Sequence, residues 1–492
     1  MNPQNPHSCP GVSRRSFLAD TGMGFTGLVL GSLLFRDGTA MASEEPWQPP
    51  DGKPHLPPKA KSVIWIFLCG GVSHLESFDV KPALNQYAGK SIEETPFAGV
   101  LAKAEKDIVG GNPAHGNRKV IMPLQTGFKP YGESGLVVGD WFQNIGTCAD
   151  DLAVVRSLWT IHNDHGAQLT WQTGRHPREL NHPTLGAWIC YGLGTLNQNL
   201  PEYVVLGVPT GDCCGGTFTH GASYLGPEHG GVRLKVDPKN PLPFISPKDN
   251  ALTAEEQLEN LSLLGKLNYL SGIDYPDDEQ LRARIKAYEL AFQMQTSIPD
   301  VMQIDKESDA TKALYGIDKP ESKAFGEQCL VARHLVEKGV RFVQLFHGGG
   351  GGGEWDAHGD IKGNHGKLSQ QVDQPIAGLL KDLKQRGLLD ETIVVFATEF
   401  GRTPGSEGTN GRNHHPYGFS VWMAGGGIKG GVVNGATDEI GFHAVENRHY
   451  VTDIHATILS ALGIEYDYEI VTPIGRPMKL SEGQPIKELL VT

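Results

Sequence analysis

Histidines and carboxylates gather at four places in this 492-residue chain, each just after a short apolar run. After Ser62–Cys69 comes Gly70-Gly71-Val72-Ser73-His74-Leu75-Glu76-Ser77-Phe78-Asp79. After Leu152–Leu158 comes His162-Asn163-Asp164-His165, two imidazoles flanking a carboxylate. Arg341–Phe346 is followed by His347, a run of glycines and Glu354-Trp355-Asp356-Ala357-His358-Gly359-Asp360, with His365 close behind. Thr392–Ala397 is followed by Glu399, Phe400 and Arg402, then His414-His415. Imidazole and carboxylate are ligand types for Zn²⁺, Mn²⁺ and related ions, and several carboxylates brought together need a cation to offset their repulsion. One loop histidine is ordinary; the same pairing at four matching positions predicts a divalent metal site. Its ligands are to be sought among the imidazoles and carboxylates of these four clusters. The ion is Zn, Mn, Ca or Mg, and spacing does not separate a one-metal from a two-metal arrangement. For catalysis, Ser73 is the candidate nucleophile, with His74 or the metal to activate it. A water with His162 or His165 as general base is the alternative, and Arg402 could hold an anionic group by a bidentate contact.

A site drawn from four distant segments needs elements that deliver them to one edge. The apolar runs read as strands buried on both faces of a largely parallel sheet, joined by Tyr203–Leu206 and Phe419–Ala424. Amphipathic stretches at Leu185–Leu193, Leu281–Gln295, Glu327–Lys338 and Leu368–Arg386 read as helices. Strands alternating with helices predict a doubly wound α/β sheet whose ligands sit at the carboxyl ends of the strands. Residues 61–492 are expected to form one large domain, with a loop and helical insertion at about 207–323.

Composition bounds the function. At 39% hydrophobic and 20% charged, the chain falls outside the disordered and membrane classes. With 43 basic against 56 acidic residues and no basic cluster, nothing attracts a nucleic acid, and oligomeric state is left open. Ser13-Arg14-Arg15-Ser16-Phe17-Leu18, the apolar run after it and Ala40-Met41-Ala42 resemble a twin-arginine export signal over residues 1–42, followed by a linker at 43–60. The expected location is the periplasm or the medium, with no membrane span once the signal is removed. Export also removes Cys9 and leaves six cysteines, among which no CxxC selects a disulfide pairing.

Four ordered motifs carry a resemblance. They are Gly70-Gly71 with Ser73-His74, Glu76, Phe78-Asp79 and Lys81-Pro82; the stretch from Leu335 to Val343; Trp355-Asp356 with His358; and Thr398-Glu399-Phe400-Gly401-Arg402-Thr403-Pro404. Together they resemble the DUF1501 family, exported bacterial proteins related to sulfatases within the alkaline-phosphatase-like superfamily. The resemblance spans nearly all of the chain after the signal. It implies a three-layer α/β/α alkaline-phosphatase-like sandwich with a mostly parallel central sheet, divalent metals at the strand ends, and hydrolysis of phosphate or sulfate esters, with a small anionic ester as the partner. It makes Glu399 a ligand, pairs Asp356 with His358 or Asp360, and makes His414 or His415 the late ligand histidine; Val451–Leu459 takes a structural role. Phe400 stands where a ligand histidine is usual, and Gly70-Gly71 stands where an early metal aspartate closes the first strand, leaving Asp79 or Glu76 to substitute. Thr173-Gly174-Arg175 resembles the end of the sulfatase signature, but Asp164 and Gln168 occupy the nucleophile and arginine positions. A formylglycine nucleophile is therefore not expected.

Two functions follow. The first is an exported metal-dependent hydrolase of phosphate or sulfate esters. The second is a catalytically inactive relative that binds a ligand or an envelope partner, which the substitutions at Phe400 and Asp164 keep open.

Overall fold

The computed structural model describes residues 50–102, 119–179, 182–197, 199–237, 297–472 and 475–491, with isolated positions between 241 and 294. The twin-arginine segment, Cys9 and all but Met294 of the helix expected at 281–295 lie outside the described residues. In chain order the strands used below are β1 (Ser62–Leu68), β2 (Leu152–Trp159), β3 (Tyr203–Gly207), β4 (Val232–Leu234), β5 (Phe342–His347), β6 (Thr392–Ala397), β7 (Gly401–Glu407), β8 (Gly411–His415), β9 (Phe419–Ala424), β10 (Val432–Asn434) and β11 (His449–Tyr450). The helices are α1 (Ala167–Thr173), α2 (Leu185–Leu193), α3 (Lys323–Glu337), α4 (Ile361–Gln385) and α5 (Val451–Ala461).

Every residue of β1 is buried. A strand with no wet face belongs inside a sheet covered on both sides, and β1 lies between β5 and β6, parallel to both. The sheet runs β10-β2-β9-β6-β1-β5-β3-β4, with β11 also on β2. Only β9 opposes its neighbours, β2 and β6. Between β6 and β9 the chain forms the β7–β8 hairpin and no helix, so no crossover returns it to the start of β6 as a parallel strand requires.

The period of two along β1 sorts its side chains between two helical layers. Ile64, Ile66 and Leu68 pack with Leu330 and Leu335 of α3 and with Val372, Ile376 and Leu379 of α4. Val63, Trp65, Phe67 and Cys69 pack with Trp171 of α1, Ile189 of α2, and Ile454 and Ile458 of α5. The result is the three-layer α/β/α arrangement with a mostly parallel sheet that the resemblance implies. Among the described residues no helix is long and apolar enough to cross a membrane.

The β7–β8 hairpin was not among the strands expected from the sequence. Gly411 pairs with Glu407 and His414 with Arg402, with an irregularity between Arg412 and His414. The hairpin hides polar residues: Arg402, Arg412, Asn413 and His415 are all fully buried. It leaves the carboxyl end of β6 and carries His414 back across that edge.

Candidate metal centre

Asp356 sits where the chain re-enters the core after β5 and the glycine run. Its main chain is held to the end of β1, since Trp355 donates its backbone N–H to Cys69 O at 3.0 Å. Gly70 permits that approach, because a Cβ there would lie 2.5 Å from Asp356 N. Three imidazoles meet the Asp356 carboxylate. His165 Nε2 lies 3.1 Å from Oδ2, while His414 Nε2 and His358 Nε2 lie 2.9 and 3.0 Å from Oδ1. Arg402 Nη2 donates to Oδ1 at 2.8 Å.

The other nitrogen of each ring is already engaged by an oxygen. His414 Nδ1 lies 2.7 Å from Asn163 O, His165 Nδ1 lies 3.0 Å from Glu399 Oε1, and His358 Nδ1 lies 2.5 Å from Glu407 Oε2. A carbonyl only accepts, so His414 carries its proton on Nδ1 and turns the Nε2 lone pair towards Asp356. Oxygen partners at Nδ1 are the arrangement that orients metal-binding histidines. One donor atom each from His165, Asp356 and His414 lies within 4.8 Å of the others, as binding one small cation requires. These residues fit a divalent ion.

Charge and protonation follow the same pattern. Burial would raise the Asp356 pKa, but the imidazoles of His165, His358 and His414 and the Arg402 guanidinium around it outweigh it and hold the carboxyl far below its usual range. Burial opposes charge on His165, yet Asp356 and Glu399 together raise its pKa to about 9. His358 is raised, first by Asp356. His414 is lowered, chiefly by burial.

Glu399, fully buried at the end of β6, supports the centre from behind. Its Oε1 accepts from Gly70 N at 2.8 Å, from Gln168 Nε2 at 2.9 Å and from His165. Phe400 packs its ring on His414 with centroids 4.2 Å apart, so the residue at the expected ligand position walls the site instead. Gln168, Glu407 and the Asn163 carbonyl were missed from sequence. Gln168 had a signal, its place in the sulfatase-like stretch; the other two had none.

Other expected site residues lie elsewhere. Arg402 is buried, and its guanidinium donates to the carbonyls of Gly70, Gly71, Trp355 and Arg412 as well as to the Asp356 carboxylate. It is a positioning residue. Ser73 is buried and donates to Glu76, whose Oε1 takes Arg412 Nη2 at 2.7 Å. Both are thereby tied into the packing between the loop after β1 and the hairpin. His74 Nε2 is 2.9 Å from Gly441 O, and His415 Nε2 is hydrogen-bonded to Phe442 O. Asp79 pairs with Lys81 at 2.9 Å and accepts from Thr437. Asp164 accepts from Gly166 N at 2.8 Å, and Asp360 caps α4 through Gly363 N at 3.2 Å. His162 turns its ring to His176, centroids 4.5 Å apart, rather than to Asp356. Of the expected ligands, Asp356, His358 and His414 converge with Glu399 behind them, and His165, expected as a base, converges with them.

A family model described as "Protein of unknown function (DUF1501)" matches residues 60–490. The chain belongs to the DUF1501 family. That span includes every residue of the centre just described. No functionally curated protein matches this DUF1501 chain in sequence. Among solved structures it is similar to the PsFucS1 sulfatase from Pseudoalteromonas sp., with 13% identity, 82% of this chain and 68% of that one covered, and a TM-score of 0.33. It is similar to the phosphonate monoester hydrolase SpPMH from Silicibacter pomeroyi, with 10% identity, coverages of 87% and 76%, and a TM-score of 0.32. The C-terminal periplasmic domain of EcEptC from Escherichia coli, in complex with Zn, gives 9% identity, coverages of 89% and 96%, and a TM-score of 0.31. Likeness at that level assigns neither ligand nor reaction.

Proposed function

We propose that this DUF1501 protein is a divalent-metal-dependent hydrolase of phosphate or sulfate esters that works outside the cytoplasm, delivered there by its twin-arginine segment. The observation that carries the reading is the convergence of three imidazole Nε2 atoms on the Asp356 carboxylate, each ring oriented by an oxygen at Nδ1. His165, Asp356 and His414 would hold the cation, which would supply Lewis-acid polarisation of an ester oxygen and a lowered pKa for a water.

The remaining side chains divide the work. Arg402 fixes the Asp356 rotamer by binding the carboxylate and the surrounding carbonyls at once. Glu399 and Asn163 O set the tautomers of His165 and His414. His358 is the most exposed of the three imidazoles, its side chain 39% accessible, and is the proton-transfer residue. Its Nε2 exchanges a proton with the reacting oxygen while Glu407 keeps Nδ1–H in place. Because Ser73 is engaged by Glu76 away from this carboxylate, water is the nucleophile.

The test is metal analysis of the purified chain together with a screen of aryl phosphates, phosphodiesters and aryl sulfates. The expected result is bound divalent metal and turnover that a chelator removes, both lost in Asp356→Ala. Metal-free protein without turnover would overturn the reading. Metal-replete protein that turns over no ester would favour the ligand-binding alternative, which the Phe400 ring against His414 supports by closing one side of the site.

A further inference from the structure

Six of the chain's cysteines are described, and four of them, Cys69, Cys148, Cys190 and Cys329, are buried and unpaired in the core. Cys213 and Cys214 differ. They are adjacent in a short turn, Asp212–Cys214, with Cys213 exposed and Cys214 buried. Their sulfurs face each other at 2.6 Å. Adjacent side chains seldom meet, because successive Cβ atoms point away from each other in extended chain and round the axis in a helix. Here the local backbone has already brought the two thiols together.

The turn is also bound to the glycine run. Cys213 Sγ lies 3.5 Å from Gly351 O, and Gly211 N donates to the same carbonyl at 3.3 Å. Gly350 N donates to Pro209 O at 2.9 Å. One residue on, Gly352 O accepts from Gln168 Nε2 at 2.9 Å, and a Cβ on Gly352 would lie 2.7 Å from His165 Cδ2. The thiol pair is thus two short contacts from the ring that faces Asp356.

We propose that Cys213 and Cys214 form a site of reversible oxidation, a vicinal dithiol that closes to a vicinal disulfide by exchange with a small-molecule disulfide. The exposed Cys213 thiolate attacks one sulfur of the disulfide RSSR, forms a mixed disulfide and expels one thiolate. Cys214, as thiolate, then attacks the Cys213 sulfur and expels the second. Two protons leave the protein thiols for the two RS⁻ products, and the two electrons reduce RSSR to two RSH. Burial raises the Cys214 pKa, which leaves Cys213 as the point of entry. Closure removes the Cys213 S–H donor from Gly351 O and so acts on the loop beside His165. The thiol chemistry stands apart from the hydrolase reading and is tested without it.

The experiment treats the reduced full chain with glutathione disulfide under native conditions, then counts thiols and sequences protease fragments by mass spectrometry. The expected result is the loss of two thiols per chain, with the fragment carrying Cys213 and Cys214 lighter by two hydrogens and restored by dithiothreitol. In Cys214→Ser the reaction is expected to stop at a glutathione adduct on Cys213. A wild-type fragment that keeps both thiols, or that retains glutathione on Cys213, would overturn the proposal, and neither outcome depends on a variant folding.

Discussion

His358 and Asp356 make different demands on the same cluster, and mutation separates them. If His358 moves a proton rather than holding the ion, His358→Ala should lower turnover by about 10²–10⁴ while metal content stays at the wild-type level. Loss of metal with activity would make His358 a ligand and contradict the division proposed above. Much of this cluster was legible at the residue scale: Asp356, His358, Glu399 and His414 stand just past strand ends, and a site on a parallel sheet is assembled there. Ser73, Glu76 and Asp79 satisfy the same positional rule and are nevertheless absorbed by Arg412, Lys81 and Thr437. Position says which edge a side chain reaches; it does not say which partner neutralises it. Glu407 shows the converse, since a surface-looking carboxylate acquires its role only when the hairpin brings it to His358.

At the scale of elements, the β7–β8 hairpin is what turns strand ends into a site, and its stability rests on buried charge. Arg412 and Glu76 are both fully buried, and the guanidinium meets Glu76 Oε1 through Nη2 at 2.7 Å and Nε at 3.1 Å. Arg412→Met would leave the Glu76 carboxylate in the interior without a counter-charge, so the expected loss is about 3–5 kcal/mol in denaturant unfolding. A change below about 1 kcal/mol, the scale of an exposed ion pair, would show that the pair does not fasten the hairpin to the loop after β1. The same chemistry explains why the hairpin was not legible in sequence. Thr392–Ala397 and Phe419–Ala424 are apolar except for Thr392 and Ser420 and appear as strands with the expected bounds. Gly401–Glu407 and Gly411–His415 carry Arg402, Arg412 and His414, whose acidic partners Asp356 and Glu76 lie far away in the chain, so no local period marks them.

At the scale of the whole molecule, buried neutral histidines set the response to acid. Burial lowers the pKa of His220 and of His455 to about 4, against about 6.5 in an unfolded chain. Between those values the unfolded state binds more protons, so stability rises with pH in that window and is lost as pH falls from 6.5 towards 4. Glu307 extends the loss: burial opposes its charge, but His334 and Arg333 outweigh that and lower its pKa to about 2, so its contribution disappears as pH falls from about 4.3 through 2. Calorimetry is expected to show Tm falling steadily from pH 7 to pH 4, and a flat profile would contradict the assignment of these histidines as neutral in the fold.

Diffraction from crystals soaked in zinc, with data collected on both sides of the zinc absorption edge, addresses the metal centre itself. An anomalous peak bounded by His165 Nε2, His414 Nε2 and the Asp356 carboxylate is the predicted result. Zinc bound only elsewhere, or no peak at that point with the three side chains still in place, would contradict it.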